Sequence, residues 1–144
     1  MRRSFTMLEM IFVIVIIGIL AGVALPKFLN ISKKAHEANL ISFVKTLNRT
    51  TGEDLWSKSI YEGKHGSIKH YSSILKYIDI PVELNESDIN LSNCGSGRYA
   101  AVAYSDTQTS GGIYVIECKD GTPTTAPYFR LVRLDDNKTL AGRE

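Results

Sequence analysis

Apolar residues crowd the start of the chain and thin out along it. Met10–Leu25 is an unbroken apolar run containing Gly18 and Gly22, and Pro26 follows directly. As helix, Phe5–Leu25 is about 31 Å long, enough to span a hydrocarbon core. Pro26 removes a backbone donor and predicts a kink or local break near residues 22–26. Gly18 and Gly22 form a G-x-x-x-G pair, which lets helices approach closely. Beyond Pro26 the apolar positions narrow to a stripe, Leu40, Val44, Leu47, Thr51 and Leu55. Lys33, Lys34, Glu37, Lys45, Asn48 and Arg49 lie largely off it. The spacing predicts one long helix over residues 5–57, its first half in lipid and its second half on a globular domain. Gly52 weakens its end.

The remainder is polar and mixed. Tyr71–Pro81 predicts a short helix stopped by Pro81. Three runs read as strands: Tyr99–Ser105, Gly112–Cys118 and Tyr128–Leu134. Turn-rich segments, Ser105–Gly111 and Lys119–Pro127, connect them. The simplest arrangement is an antiparallel meander against the helix, an α+β domain.

Composition adds two constraints. The 144 residues suit one domain plus the N-terminal segment. Arg2 and Arg3 account for the net charge of +2: without them the 17 basic residues become 15, against 15 acidic ones. That balance argues against non-specific nucleic-acid binding over the whole surface. Cys94 and Cys118 suggest a disulfide if the domain is exported and two free thiols if it is not. Generic features leave the N-terminus open to three readings: a cleaved secretory signal, a signal anchor and a prepilin segment. Arg2 and Arg3 before the segment nearly balance Lys27, Lys33 and Lys34 behind it, so charge does not set orientation.

Glu9 separates the three readings. A carboxylate in a membrane helix is unfavourable by about 2.5–3.5 kcal/mol at the bilayer centre, less near an end. A signal peptide or passive anchor gains nothing from it. It either reaches the headgroups and the positive helix end or has a cationic partner. A cut between Ser4 and Phe5 creates such a partner, the new amine of Phe5. At these residues the chain resembles a known family. FTMLEMIFVIVIIGILAGVALPKF (Phe5–Phe28) is similar to the N-terminus of type IV pilins and of type II secretion and competence pseudopilins. The shared features are a short basic leader, a cut before Phe, Glu five positions into the mature chain, an apolar helix and a Pro near its end. The family usually has Gly before the cut; this chain has Ser4, also small.

The resemblance implies a pilin fold, a long helix packed on a small antiparallel sheet. It divides the chain into a leader (1–4), a transmembrane and assembly helix (5–26), an amphipathic continuation (27–57) and a globular α+β domain (58–144). It implies that a prepilin peptidase removes Met1–Ser4 and N-methylates Phe5. The protein would be held in the inner membrane by one span, with its C-terminal domain in the periplasm, and would reach the cell surface in a filament. Its partners would be further copies of itself, other pilins or pseudopilins, the assembly platform and membrane lipid. Glu9 would pair with the Phe5 amine of a neighbour, and the Gly18–Pro26 stretch would unwind on assembly. Many pilins tie a C-terminal region to the sheet by a disulfide, and Cys94–Cys118 looks similar. That pair differs from the major pseudopilins of type II secretion, which usually lack it and bind calcium.

Little else points to chemistry. His36, His65 and His70 lack metal-ligand spacing, and Asp120, Asp135 and Asp136 form no ordered calcium loop. Gly63–Ser67 is not a P-loop and Cys94–Arg98 is not a nucleophile elbow. No cofactor, metal or catalytic residue is expected. Tyr61–Tyr71 interleaves Lys64, Lys69 and two histidines with tyrosines; DNA is the partner such a patch would suit, and a solvated loop is the simpler reading. Asn30 and Asn48 sit in plain N-x-S/T sequons. Asn85 and Asn137 carry an acid two residues earlier, which resembles an extended acceptor site of a bacterial oligosaccharyltransferase. The expected function is a structural subunit of a pilus, competence or type II secretion filament. The competing reading is a monomeric receptor or adhesin, for example for DNA, that borrows a pilin anchor.

Overall fold

The computed structural model describes residues 5–72, 74 and 78–142. The leader, Met1–Ser4, lies outside the described residues, as does part of the segment read as a short helix. The chain forms two compact units, the second beginning at Ala35.

The first unit is helical. Helix α1 spans Met7–Thr46, and Pro26 lies inside it. The local break expected at residues 22–26 is absent: α1 stays helical across Gly22 and Pro26. Proline removes only the bond that position 26 would make to the Gly22 carbonyl, and a helix of 40 residues absorbs that loss. The apolar side chains of this unit are exposed, among them Phe5, Ile11, Phe12, Ile14, Ile19 and Leu25.

The second unit holds the core. The stripe residues Leu40, Val44, Leu47 and Leu55 are buried, and Phe43 joins them. The helix does not stop at residue 57. α1 passes through a π-helical turn, Leu47–Thr51, into α2, Gly52–Tyr61. Asn48, read as lying off the stripe, explains the turn. Its amide donates to the Val44 carbonyl at 3.1 Å and the Phe129 carbonyl at 2.8 Å, and its oxygen accepts from Phe129 N–H at 2.8 Å. It therefore meets a strand as another strand would, and the extra residue of the π turn aims it there. Gly52 has a packing role rather than a terminating one. A Cβ there would stand 2.9 Å from the Leu47 carbonyl and 3.5 Å from the Phe129 ring.

Four antiparallel strands form one sheet in the order β1 (Ala100–Tyr104), β2 (Tyr114–Lys119), β3 (Tyr128–Arg133) and β4 (Lys138–Ala141). The first three match the expected runs. β4 is an addition, a four-residue edge strand entered through a turn in which Asn137 takes φ 51°. Alternation sorts the faces. Tyr114, Ile116, Cys118, Phe129 and Leu131 point into the core that α1 covers, and the register pairs Cys118 with Phe129 and Ile116 with Leu131. Glu117 and Arg130 pair on the other face at 2.6 Å. A one-turn helix α3, Thr107–Ser110, joins β1 to β2. The helix expected over Tyr71–Pro81 is not formed at its described residues, and Ser73 and Leu75–Tyr77 lie outside them. Ile74 is buried in the core and Ile78 and Ile80 pack against it, and Ile78 N–H donates to the Ile74 carbonyl at 3.3 Å.

Cys94 and Cys118 are joined, both buried, with Cα atoms 4.8 Å apart and a sequence separation of 24. The bond closes that loop against β2. Reduction is expected to lower stability by about 3 kcal/mol, the entropy the loop regains when unfolded. Denaturant titration of the full chain in detergent, oxidised against reduced, checks this. An unchanged midpoint would show that the bond is dispensable.

Candidate functional site

The helix start is built by its own sequence. Thr6 is the last residue before α1 and Glu9 the third within it. Glu9 Oε2 accepts from the Thr6 backbone N–H at 3.2 Å and from the Thr6 hydroxyl at 3.1 Å. In return Glu9 N–H donates to Thr6 Oγ1 at 3.3 Å. This is a reciprocal capping box, and it satisfies donors that a helix end leaves orphaned. The signal was present in the sequence as Thr6-x-x-Glu9 before an apolar run. Glu9 therefore has a partner in its own chain. Phe5, at the expected cut, is exposed beside it.

Behind the cap, α1 is long and apolar enough to cross a membrane by length and composition, and none of its most apolar window is buried. A Cβ on Gly18 or Gly22 would meet nothing within 4 Å, so neither glycine serves packing inside the protomer.

In the second unit, side chains of α1 are fixed by two polar clusters. Glu37 Oε2 accepts from the Tyr114 hydroxyl and from Arg133 Nη1, each at 3.1 Å, and Arg133 also grips Asp136 at 2.6 Å. Burial and then the Glu37 carboxylate push the Tyr114 hydroxyl up to about 12. The Arg133 hydrogen bond holds Asp136 down at about 2. In the second cluster, buried Glu83 accepts from His36 Nδ1 at 2.6 Å and Asn39 Nδ2 at 3.0 Å. Burial opposes ionisation of Glu83, but those hydrogen bonds and its own backbone N–H outweigh it and keep its carboxyl below the usual 4.5.

That cluster changes the reading of the sequons. Asn85 is exposed, but Glu83, the acid of its extended sequon, is held inside the core. Asn137 is exposed on the β3–β4 turn together with Asp135. A third acid-x-Asn-x-Ser/Thr sequence, Asp88–Ser92, escaped the sequence reading, and Asn90 Oδ1 there accepts from the Ser92 hydroxyl at 2.6 Å. Asn48 is committed to Phe129, as above. The other candidate groups are dispersed. Asp120 caps a neighbouring loop, and among the described residues no group of three or more His, Cys, Asp or Glu comes together. In and beside the Tyr61–Tyr71 segment the lysines have partners, Lys69 Nζ donating to the Ser96 hydroxyl at 2.7 Å. Lys58 and Lys64 each lie 5.2 Å from the Tyr71 ring centre, and Glu62 takes Lys64 at 2.8 Å. The Lys64 hydrogen bond also holds the Glu62 carboxyl below its ordinary value.

Residues 1–25 match the family described as the prokaryotic N-terminal methylation motif. Comparison with curated proteins and with solved structures returns no match. The motif covers the Thr6–Glu9 cap and most of the exposed apolar helix, and the second unit has a pilin-like α+β fold. The family consists of structural proteins rather than enzymes, and it implies, in general terms, processing by a prepilin peptidase and assembly with other pilins. Residues 1–25 thus carry the N-terminal methylation motif that marks the type IV pilin and pseudopilin family.

Proposed function

We propose that the protein is a structural subunit of a type IV pilus-like filament, serving a pilus, a DNA-uptake machine or a type II secretion system. The observation that carries this is Glu9, a carboxylate at the head of an exposed apolar helix, inside a methylation motif. In this reading the leader 1–4 is cut off between Ser4 and Phe5 and the Phe5 amine is methylated. Residues 5–26 hold the subunit in the inner membrane and later line the filament centre. Glu9 then exchanges Thr6 for the Phe5 amine of a neighbour, while Gly18, Gly22 and Pro26 allow close approach and local unwinding. Of the acidic sequons, Asn137 presents its acid at the surface and is the stronger glycan acceptor; Asn85 is the weaker.

Intact mass and N-terminal sequencing of protein taken from membranes test the processing. The expected chain begins at Phe5 and carries one added methyl group. A chain beginning near Leu25 would restore a cleaved signal peptide and end the filament reading. An uncut Met1 would mean that Ser4 blocks the peptidase.

A further inference from the structure

Near the disulfide, on the sheet face turned away from α1, Tyr99 and Tyr128 line a half-open groove of about 430 Å³. Lys119, Asp120, Thr122 and Thr125 supply its other polar side chains. Its walls are fixed in advance. The Arg130 guanidinium stacks on Tyr99 at 4.1 Å from the ring centre and is itself held by Glu117. Trp56 Nε1 donates to the Thr122 carbonyl at 2.7 Å, and Thr122 N–H donates to the Thr125 carbonyl at 2.8 Å. The Asp120 carboxylate in the lining is engaged by its own loop, accepting from Ile68 N–H at 2.9 Å, the Ser67 hydroxyl at 2.7 Å and Gly121 N–H at 3.0 Å. Among the described residues no carboxylate pairs with exposed Lys119. The groove thus offers the Tyr128 ring, the Tyr99 ring backed by Arg130, the Thr125 hydroxyl and the Lys119 ammonium, while Thr122 Oγ1 is engaged by the Thr124 and Thr125 N–H groups.

Those groups fit a sugar better than a nucleic-acid strand. A strand brings a phosphate with every base and needs several cations along its track. Here Lys119 is the one cation in the lining, and the guanidinium stacked on Tyr99 is held by Glu117. A pyranose needs an aromatic ring for its C–H face, hydroxyl partners around its rim and at most one cation. We propose that this groove binds an acidic saccharide, a pyranose packed on the tyrosine rings with its carboxylate on Lys119. The site lies in the second unit and does not depend on the assembly reading.

The lone tryptophan, Trp56, is bonded to the groove's Thr122 and reports on it. The full chain, in micelles of a detergent without a sugar headgroup, is titrated with trigalacturonate, maltotriose and a dT12 strand. Trigalacturonate is expected to shift Trp56 emission to saturation. Lys119→Gln should weaken it about fivefold and remove its salt dependence. Tyr128→Ala should weaken it about tenfold, whereas Tyr128→Phe keeps the ring and should bind as wild type, which controls for misfolding. Maltotriose should bind at least fivefold more weakly. No saturable response to trigalacturonate would overturn the proposal. So would unaltered binding by Lys119→Gln, equal affinity for maltotriose, or tighter binding of dT12.

Discussion

Glu9→Ala is expected to leave membrane insertion and leader removal intact and to abolish assembly. Removing a carboxylate from a membrane helix makes insertion easier, so membrane levels should match or exceed wild type. In a filament the variant leaves a neighbour's Phe5 amine without a partner in a low-dielectric setting. That is unfavourable by about 3–5 kcal/mol per contact, at least a hundredfold in each association constant. The capping box supplies a control. Thr6→Val removes the hydroxyl half of the cap, its bonds to Glu9 Oε2 and from Glu9 N–H, worth about 1 kcal/mol, yet keeps the carboxylate. Cross-linking in membranes, with a transformation or secretion assay beside it, separates the two roles. An assembly group makes Glu9→Ala far more damaging than Thr6→Val. A mere helix cap makes the two variants alike and mild, with wild-type oligomers, and the monomeric receptor then becomes the better reading.

How much of this the sequence disclosed follows from the range of each interaction. The apolar run, the stripe from Leu40 to Leu55 and the first three strands are periodic, and periodicity is a local signal. The Thr6–Glu9 cap is equally local, three positions apart before an apolar run. Asn48 was not readable. Its partner Phe129 lies 81 positions away, and nothing near Asn48 says that a strand will approach the helix. The same contact turned Gly52 from an apparent helix breaker into a close-packing residue. β4 is too short to show alternation, and only Asn137 in its turn hinted at it. Glu83 misled most. In sequence it is the acid of a sequon in a polar stretch; in space it is buried against α1, 47 positions from His36. At Tyr71–Pro81 the isoleucines have the spacing of a buried face, and Ile74, Ile78 and Ile80 do pack on the core, but the centre of that segment lies outside the described residues.

The second large effect is expected at that buried acid. Glu83 Oε1 takes both hydrogen bonds, from His36 and Asn39, while Oε2 is buried without a partner. The His36 ring therefore does most to keep the charge tolerable, and its Nδ1 carries the proton, since an ionised carboxylate only accepts. His36→Leu would leave the carboxylate buried with Asn39 and its own N–H. Breaking a buried pair from one side is unfavourable by about 3–5 kcal/mol; water reaches half-exposed His36, which places this loss nearer about 2–3 kcal/mol. Glu83→Gln should cost less, because a neutral amide has no charge to desolvate. The pH dependence has a definite sign. The folded Glu83 carboxyl lies below its ordinary 4.5, so the folded state releases its proton more readily than the unfolded chain. Its stabilisation is full above about pH 4.5 and fades as the pH falls through the lowered folded value. Thermal unfolding of the disulfide-intact full chain, followed by near-UV circular dichroism from pH 7 to pH 3, should show that loss in wild type. In Glu83→Gln the decline over this window should be shallower. Parallel pH profiles for the two proteins would remove Glu83 from the account, and an unshifted midpoint in His36→Leu would show that the clamp on α1 carries no stability.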